Sequence, residues 1–139
     1  MSLHQKVLAG LSALALSACA APMQFQAALN GASESPRTNS AGTGTLTATL
    51  YPDTHAFSYI LNYSGLSGPA TAAHVHGPAA PGANAGVMVP FPSPAAGATG
   101  MITLTEAQQA TIVGGQAYTN VHTAANPGGE IRGQIARVQ

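Results

Sequence analysis

Alternation of apolar and polar residues is the clearest pattern along the chain. Over residues 44–51, leucine or alanine occupies every second position from Leu46 onward, with threonine between, which predicts a half-buried β-strand. Over residues 55–63 the alternation returns, with aromatic residues and leucine on one face. Residues 52–54 (Pro-Asp-Thr) are typical of a turn, so the two segments are predicted to form a β-hairpin.

Shorter segments of the same kind complete the predicted strands. They are expected at residues 25–29, 71–76, 87–89, 100–104, 116–122 and 130–138. Residues 106–113 differ and predict a short helix, because Thr105 and Gln108 form a capping box and Gly114 suits the left-handed C′ position. Seven or eight short strands without a βαβ rhythm predict an all-β fold, an antiparallel Greek-key-like β-sandwich or barrel with one short helix.

The start of the chain has a different pattern from the rest. Lys6 precedes a ten-residue apolar stretch at 7–16, which is too short to span a bilayer and fits the core of a secretory signal. Residues 16–19 (Leu-Ser-Ala-Cys) resemble a bacterial lipobox. We therefore expect a lipoprotein signal peptide at 1–18, a lipidated tether at 19–24 and one β domain at 25–139.

Cys19 is the only cysteine of the chain, and it lies where lipidation requires one. Several acyl chains on one residue would anchor the protein stably, with the membrane as its first partner. Ala20, in place of aspartate, favours the outer membrane by resemblance to Gram-negative lipoproteins, with the domain facing the periplasm or the cell surface. The alternative is an ordinary cleavage site with an unrelated cysteine beside it.

Composition narrows the classes of function. Only 6% of residues are charged, and the part after the predicted leader carries three arginines and four carboxylates, hence a net charge of −1. Without a basic stripe, nucleic acid is not an expected partner. No nucleophile elbow, Walker loop or paired-carboxylate pattern is present, so the sequence favours a protein that is not an enzyme.

Histidines carry the sharpest chemical signal. His74 and His76 lie at i and i+2 of a predicted strand, so their side chains share a face about 6.6 Å apart along the backbone. With His122 from a later strand, they would form a site for a borderline metal such as copper or zinc if the two strands meet across the sandwich. The alternative is a set of structural histidines on a polar sheet face.

Other residues are candidates for supporting roles. His55 and Met88 are possible additional ligands, although a turn position and core packing explain them equally well. Glu130 and Arg132 share a strand face and are expected to form an ion pair. That pair would either orient a ligand histidine without binding the metal itself or hold the final strand in place.

Several longer motifs together resemble the CHRD domain, a module found in the developmental protein chordin and singly in exported bacterial proteins. The matching segments are LNGA at 29–32 with Glu34 and Pro36, AGTG at 41–44, AAHVHGPA at 72–79, GQAY at 115–118, NVHT at 120–123 and NPGGEIRGQI at 126–135. The resemblance runs from about Phe25 to the end of the chain.

A looser resemblance concerns the histidines. An HVH strand followed by a late histidine on a β-sandwich looks like the copper site of copper/zinc superoxide dismutase, which implies His74, His76 and His122 as ligands of Cu(I) or Cu(II). The stretch after His76 lacks the histidines and aspartate of that enzyme's zinc half-site.

Three functions follow as expectations. The first is a lipid-anchored copper-binding protein that sequesters or delivers the metal in the periplasm. The second is a non-catalytic interaction module, with a protein partner or a second copy of the chain. The third is a copper redox enzyme of the superoxide dismutase type. Zinc or nickel would suit three histidines almost as well as copper.

Overall fold

The computed structural model of the protein describes residues 18–139, so most of the predicted signal peptide lies outside the described residues. Its strands and helices are β1 (Met23–Asn30), a short 3₁₀ turn (Gly31–Ser33), β2 (Thr43–Tyr51), β3 (Ala56–Ser64), β4 (Ala70–His76), β5 (Val87–Pro90), β6 (Ala98–Thr103), α1 (Glu106–Val113), β7 (Tyr118–Thr123), β8 (Ile131–Gln134) and β9 (Ala136–Arg137). The all-β prediction is confirmed, and the predicted single helix has the expected bounds.

The nine strands of the described residues form one sheet that curls into a half-barrel. Its order is β5-β4-β7-β8-β1-β2-β3-β6, with β9 added beside β1. All the pairings between neighbouring strands are antiparallel. After β3 the chain crosses to a distant position in the sheet, where β4 begins. There β4 pairs directly with β7, although the two strands are far apart in sequence.

The core fills the concave side of the sheet and follows from the alternation in the sequence. Phe57, Tyr59 and Leu61 of β3 are buried, as predicted from their shared face, and β3 forms the predicted hairpin with β2, in which Leu50 lies across from Phe57. Among the described residues, 18–139, the core and every strand lie within residues 23–137.

Helix α1 forms at the edge of the core and shows how local signals decide its ends. The capping box of Thr105 and Gln108 is present in both directions, as the sequence predicts. The prediction for Gly114 is wrong, because Gly114 keeps a helical φ of −74° while Gly115 takes the left-handed conformation at φ 71°. The left-handed residue therefore comes one position later than expected.

The final predicted strand is also interrupted. Residues 130–138 divide into β8 and β9, with Ile135 between them buried and bonded through its amide to Ala117 O. Both faces of β8 are enclosed, since Ile131 faces the core and Arg132 on the other face is only 2% exposed. Loops therefore cover the outer face of this part of the sheet, which strand alternation alone does not reveal.

Two observations bear on the N-terminal region. Cys19 is exposed and its thiol is free, while its lipidation stays a prediction. Within residues 18–139, no helix has the length and apolar character needed to cross a membrane.

Candidate metal centre

His74, His76 and His122 meet on the outer face of the sheet. Val75, between the first two, is fully buried on the core side, so the two imidazoles share the opposite face. β7 pairs with β4 so that His122 lies across from Ala72, one position along the same face from His74. The histidines therefore converge as neighbours within one sheet, and not across a sandwich as expected.

The ring nitrogens are close enough to act on one ion. His74 Nδ1 lies 3.1 Å from His122 Nε2, and one ligand atom from each of the three residues lies within 4.8 Å of the others. Two nitrogens bound to one ion at about 2.0–2.1 Å can be at most about 4.2 Å apart. At a tetrahedral angle this separation is about 3.4 Å, so the rings would close by up to about 1.4 Å to bring all three nitrogens to bonding distance.

Backbone carbonyls set the tautomers of two of the rings. His76 Nδ1 lies 3.0 Å from Ala85 O, and His122 Nδ1 lies 2.9 Å from Pro127 O. A carbonyl only accepts, so each Nδ1 carries the proton and each Nε2 keeps its lone pair. A hydrogen bond from Nδ1 to a carbonyl is the contact that commonly orients metal-ligating histidines, although in the absence of metal His122 Nε2 lies 3.1 Å from His74 Nδ1.

His76 Nε2 is the most informative atom of the cluster. It is buried and, among the described residues, has no hydrogen-bond partner. Burial lowers the pKa of His76 and of His74, and the neighbouring imidazoles lower both further. Both rings are therefore neutral at pH 7 and able to offer a lone pair.

The His76 ring belongs to a stack of three side chains. The ring of Tyr118 lies parallel to that of His76, with centroids 4.8 Å apart and planes within 1°. On the other side of Tyr118 the guanidinium of Arg132 lies 3.4 Å from the ring centroid, a cation–π contact. The three groups fix the plane of the His76 ring.

The same side chains hold the loop that supplies the carbonyl. Arg132 donates to Ala83 O at 2.6 Å and to Asn84 Oδ1 at 3.0 Å. The Tyr118 hydroxyl lies 3.2 Å from Ala85 O, the acceptor of His76. Residues 77–86, which the sequence indicates only as a Gly/Pro/Ala loop, are thereby fastened against the metal centre.

Comparison with protein families identifies the chain. The family model of the CHRD domain matches residues 25–135. The chain belongs to the CHRD domain family. No curated protein and no solved structure gives a significant match. For this CHRD domain, the family assignment predicted from the sequence is confirmed, and the family is one of extracellular modules.

Glu130 of this CHRD domain does not pair with Arg132. Its carboxylate accepts from Ser40 Oγ, Ser67 N, Ser67 Oγ, Thr123 Oγ1 and Asn126 Nδ2, whereas Arg132 donates to the 77–86 loop. The predicted ion pair is therefore wrong within the described residues, because neutral donors from three loops reach the carboxylate first. Burial raises the pKa of Glu130, but these hydrogen bonds outweigh it and lower the pKa to about 2.

The two additional ligand candidates lie elsewhere in the CHRD domain. His55 sits in the β2–β3 turn with a left-handed φ of 57°, and its Nδ1 is 2.9 Å from Gln109 Oε1 of the helix. Met88 packs against the apolar core. Among the described histidines, the cluster contains His74, His76 and His122 and not His55, while the role of Met88 as a ligand stays a prediction.

Sequence reasoning gave no role to the groups around the histidines, although it indicated the strand face that two of them share with His122. Tyr118 and Asn120 share the β7 face of His122, and that spacing of two was the available signal. The carbonyls of Ala85 and Pro127 gave no signal, because their positions depend on how the loops fold back over the sheet.

Proposed function

We propose that this CHRD domain binds one transition-metal ion, copper in first place, through His74, His76 and His122. The buried and unpartnered Nε2 of His76 carries the proposal. A buried acceptor without a partner costs about 1–3 kcal/mol, and a bound ion would remove that cost. Carbonyl-bound Nδ1 atoms leave the Nε2 lone pairs of His76 and His122 as acceptors, and one ligand atom from each of the three histidines lies within 4.8 Å of the others.

Copper is favoured over other ions by the ligand chemistry. Three imidazoles without a carboxylate in the cluster suit copper and zinc better than magnesium or calcium. Among divalent ions of this series, Cu²⁺ binds nitrogen sites most tightly. The likeness to the copper half of copper/zinc superoxide dismutase points the same way, and zinc and nickel serve as competitors in the test.

The surroundings of the cluster favour storage or transfer of the ion. His74 is only partly buried, whereas His76 is 8% exposed, so the ion would be reached from the His74 side. A lipid on Cys19 would hold this site at the periplasmic face of the outer membrane. We therefore propose sequestration or delivery of copper by an exported, membrane-tethered domain.

Binding of metal by purified residues 20–139 tests the proposal. The protein is titrated by calorimetry with Cu(II), Zn(II) and Ni(II), and anaerobically with Cu(I) against a chromophoric chelator, and bound metal is counted by elemental analysis. We expect one copper per chain. The His74→Gln/His76→Gln/His122→Gln variant should lose it.

A matched control comes from the histidine outside the cluster. His55→Gln removes an imidazole from the β2–β3 turn and should bind copper as the unchanged protein does. Absence of copper binding, or equal binding by the triple variant, would refute the metal proposal and favour a tethered interaction module with structural histidines. Copper-loaded protein that removes superoxide faster than free copper would instead favour the redox enzyme.

A further inference from the structure

Asn120 is a second buried acceptor beside the histidine cluster. It lies on β7 directly across from His74 and is 2% exposed. Its Oδ1 has no hydrogen-bond partner in the part of the chain that the structure describes, as is also true of His76 Nε2. Two orphaned acceptors on one sheet face call for a shared cation or donor.

The Asn120 amide interacts with groups on both sides. One neighbour is the His76 ring, and the other is the carboxylate of Glu34, which is 6% exposed. With His76 Nδ1 protonated toward Ala85 O, His76 Nε2 and Asn120 Oδ1 are both acceptors and cannot bond to each other. A positive charge between them would satisfy both.

Glu34 lies beside the Asn120 amide. Its Oε1 and Asn120 Nδ2 both crowd the backbone of Gly129, where a Cβ would collide with each of them. Gly129 also has a φ of 127°, so glycine is required there for conformation as well as for space. The Nδ2 atom therefore lies on the Glu34 side of the amide, although Glu34 Oε1 has no hydrogen-bond partner among the described residues, and Oδ1 faces away from Glu34.

We propose that Asn120 Oδ1 is the fourth protein ligand of the ion. This inference rests on the proposed metal site and concerns which metal ions that site prefers. An amide oxygen is a hard donor that suits Zn(II) and Cu(II), whereas Cu(I) prefers soft ligands. Asn120 therefore biases the three-histidine site toward divalent ions.

The test compares Zn(II) and Cu(I) affinities of residues 20–139 with those of two Asn120 variants. Asn120→Leu keeps the side-chain volume and removes the oxygen, so Zn(II) affinity should fall about 10- to 100-fold and Cu(I) affinity by less than about threefold. Asn120→Asp keeps an oxygen donor and should retain Zn(II) binding.

Thr119→Val serves as the matched control. It removes a buried hydrogen bond, from Thr119 Oγ1 to His74 O, on the opposite face of the same strand. A general loss of stability would lower both affinities together in this variant, so the Zn(II)-to-Cu(I) ratio should stay unchanged. Only the loss of an oxygen ligand should lower that ratio.

A crystal structure of the zinc-loaded, unchanged protein decides the matter even if Asn120→Leu fails to fold. Asn120 Oδ1 at about 2.0–2.2 Å from zinc would support the proposal. Water in that place, or an unchanged affinity ratio in Asn120→Leu, would overturn it while leaving the three-histidine site intact. Failure of the unchanged protein to bind either ion would instead overturn the metal function itself.

Discussion

At the scale of single residues, Glu130 shows how the domain stabilises a buried carboxylate. The side chain is fully buried, yet its carboxylate is surrounded by hydroxyl and amide donors from loops that are distant in sequence. Hydrogen bonds to a charged group are about twice as strong as neutral ones, so they offset the cost of burial. At this scale, Glu130 fastens the loops around residues 40, 67 and 126 to the end of β8.

Replacing Glu130 should therefore change both stability and its dependence on pH. The folded pKa of about 2 lies below the usual value, so the stabilisation is present above pH 4.5 and is lost between about pH 4.5 and 2. We expect Glu130→Gln to lower the free energy of unfolding by about 2 kcal/mol at pH 7. The loss of stability between about pH 4.5 and 2 should be smaller in this variant than in the unchanged protein. Urea unfolding from pH 7 to 2.5 measures both effects.

Comparison with a surface carboxylate separates this effect from general acid sensitivity. Glu106→Gln alters an exposed residue in the first turn of α1 and should change stability by well under about 1 kcal/mol. Glu34, whose pKa is raised by burial, titrates in both variants and cancels in the comparison. Equal pH profiles for Glu130→Gln and the unchanged protein would contradict the assignment.

At the scale of elements, the 77–86 loop connects the folded sheet to the candidate metal centre. It follows β4 directly, and Arg132 of β8 holds it through Ala83 O and Asn84. Gln134 Nε2 adds a bond to Ala79 O at 3.0 Å. The loop thus depends on a strand that lies about fifty residues further along the chain.

Loss of the Arg132 contacts should loosen this loop and weaken metal binding together. Arg132→Met keeps an unbranched chain but removes both hydrogen bonds and the cation–π contact with Tyr118. We expect about 2–3 kcal/mol lower stability and about tenfold weaker copper binding, since Ala85 O would no longer orient His76. Chemical denaturation and calorimetry measure the two effects.

Arg37→Met is the control for a charge change near the same loop. Arg37 is exposed, so its replacement should leave both quantities nearly unchanged. If Arg132→Met destabilised the protein but left copper affinity intact, Arg132 would fasten the loop without orienting His76.

At the scale of the whole molecule, one half of the curled sheet bears the polar site, and β1, β2 and β3 in the other half supply nine of the nineteen residues of the core cluster. β1, β2 and β3 are half-buried in alternation, whereas every residue of β7 is buried on both faces. A metal bound between β4 and β7 would join two strands separated by a long stretch of chain. Binding should therefore stabilise the entire fold.

Thermal unfolding with and without copper tests this coupling. With free copper at 100 times the dissociation constant, we expect about 2.7 kcal/mol of added stability and a rise in Tm of roughly 10 °C at pH 7.5. The rise should shrink at pH 5.5, because protons then compete for the histidines. The triple histidine variant should show no rise at either pH, and an equal rise there would point to binding elsewhere.

The sequence by itself determined most of the local structure and the identity of the candidate ligands. Alternation placed the β2–β3 hairpin, and the capping box placed α1, because both depend on residues only a few positions apart. The spacing of His74 and His76 put them on one face of a strand for the same reason. The CHRD motifs likewise identified the family, because each is a short run of consecutive residues.

Only the tertiary structure decided what surrounds those ligands. The pairing of β4 with β7 brought His122 beside His74, and loop closure delivered Ala85 O, Pro127 O and the donors that separate Glu130 from Arg132. These contacts join residues far apart in the chain, or backbone groups that every residue carries. No local pattern encodes them, because they arise from the packing of the whole sheet and its loops.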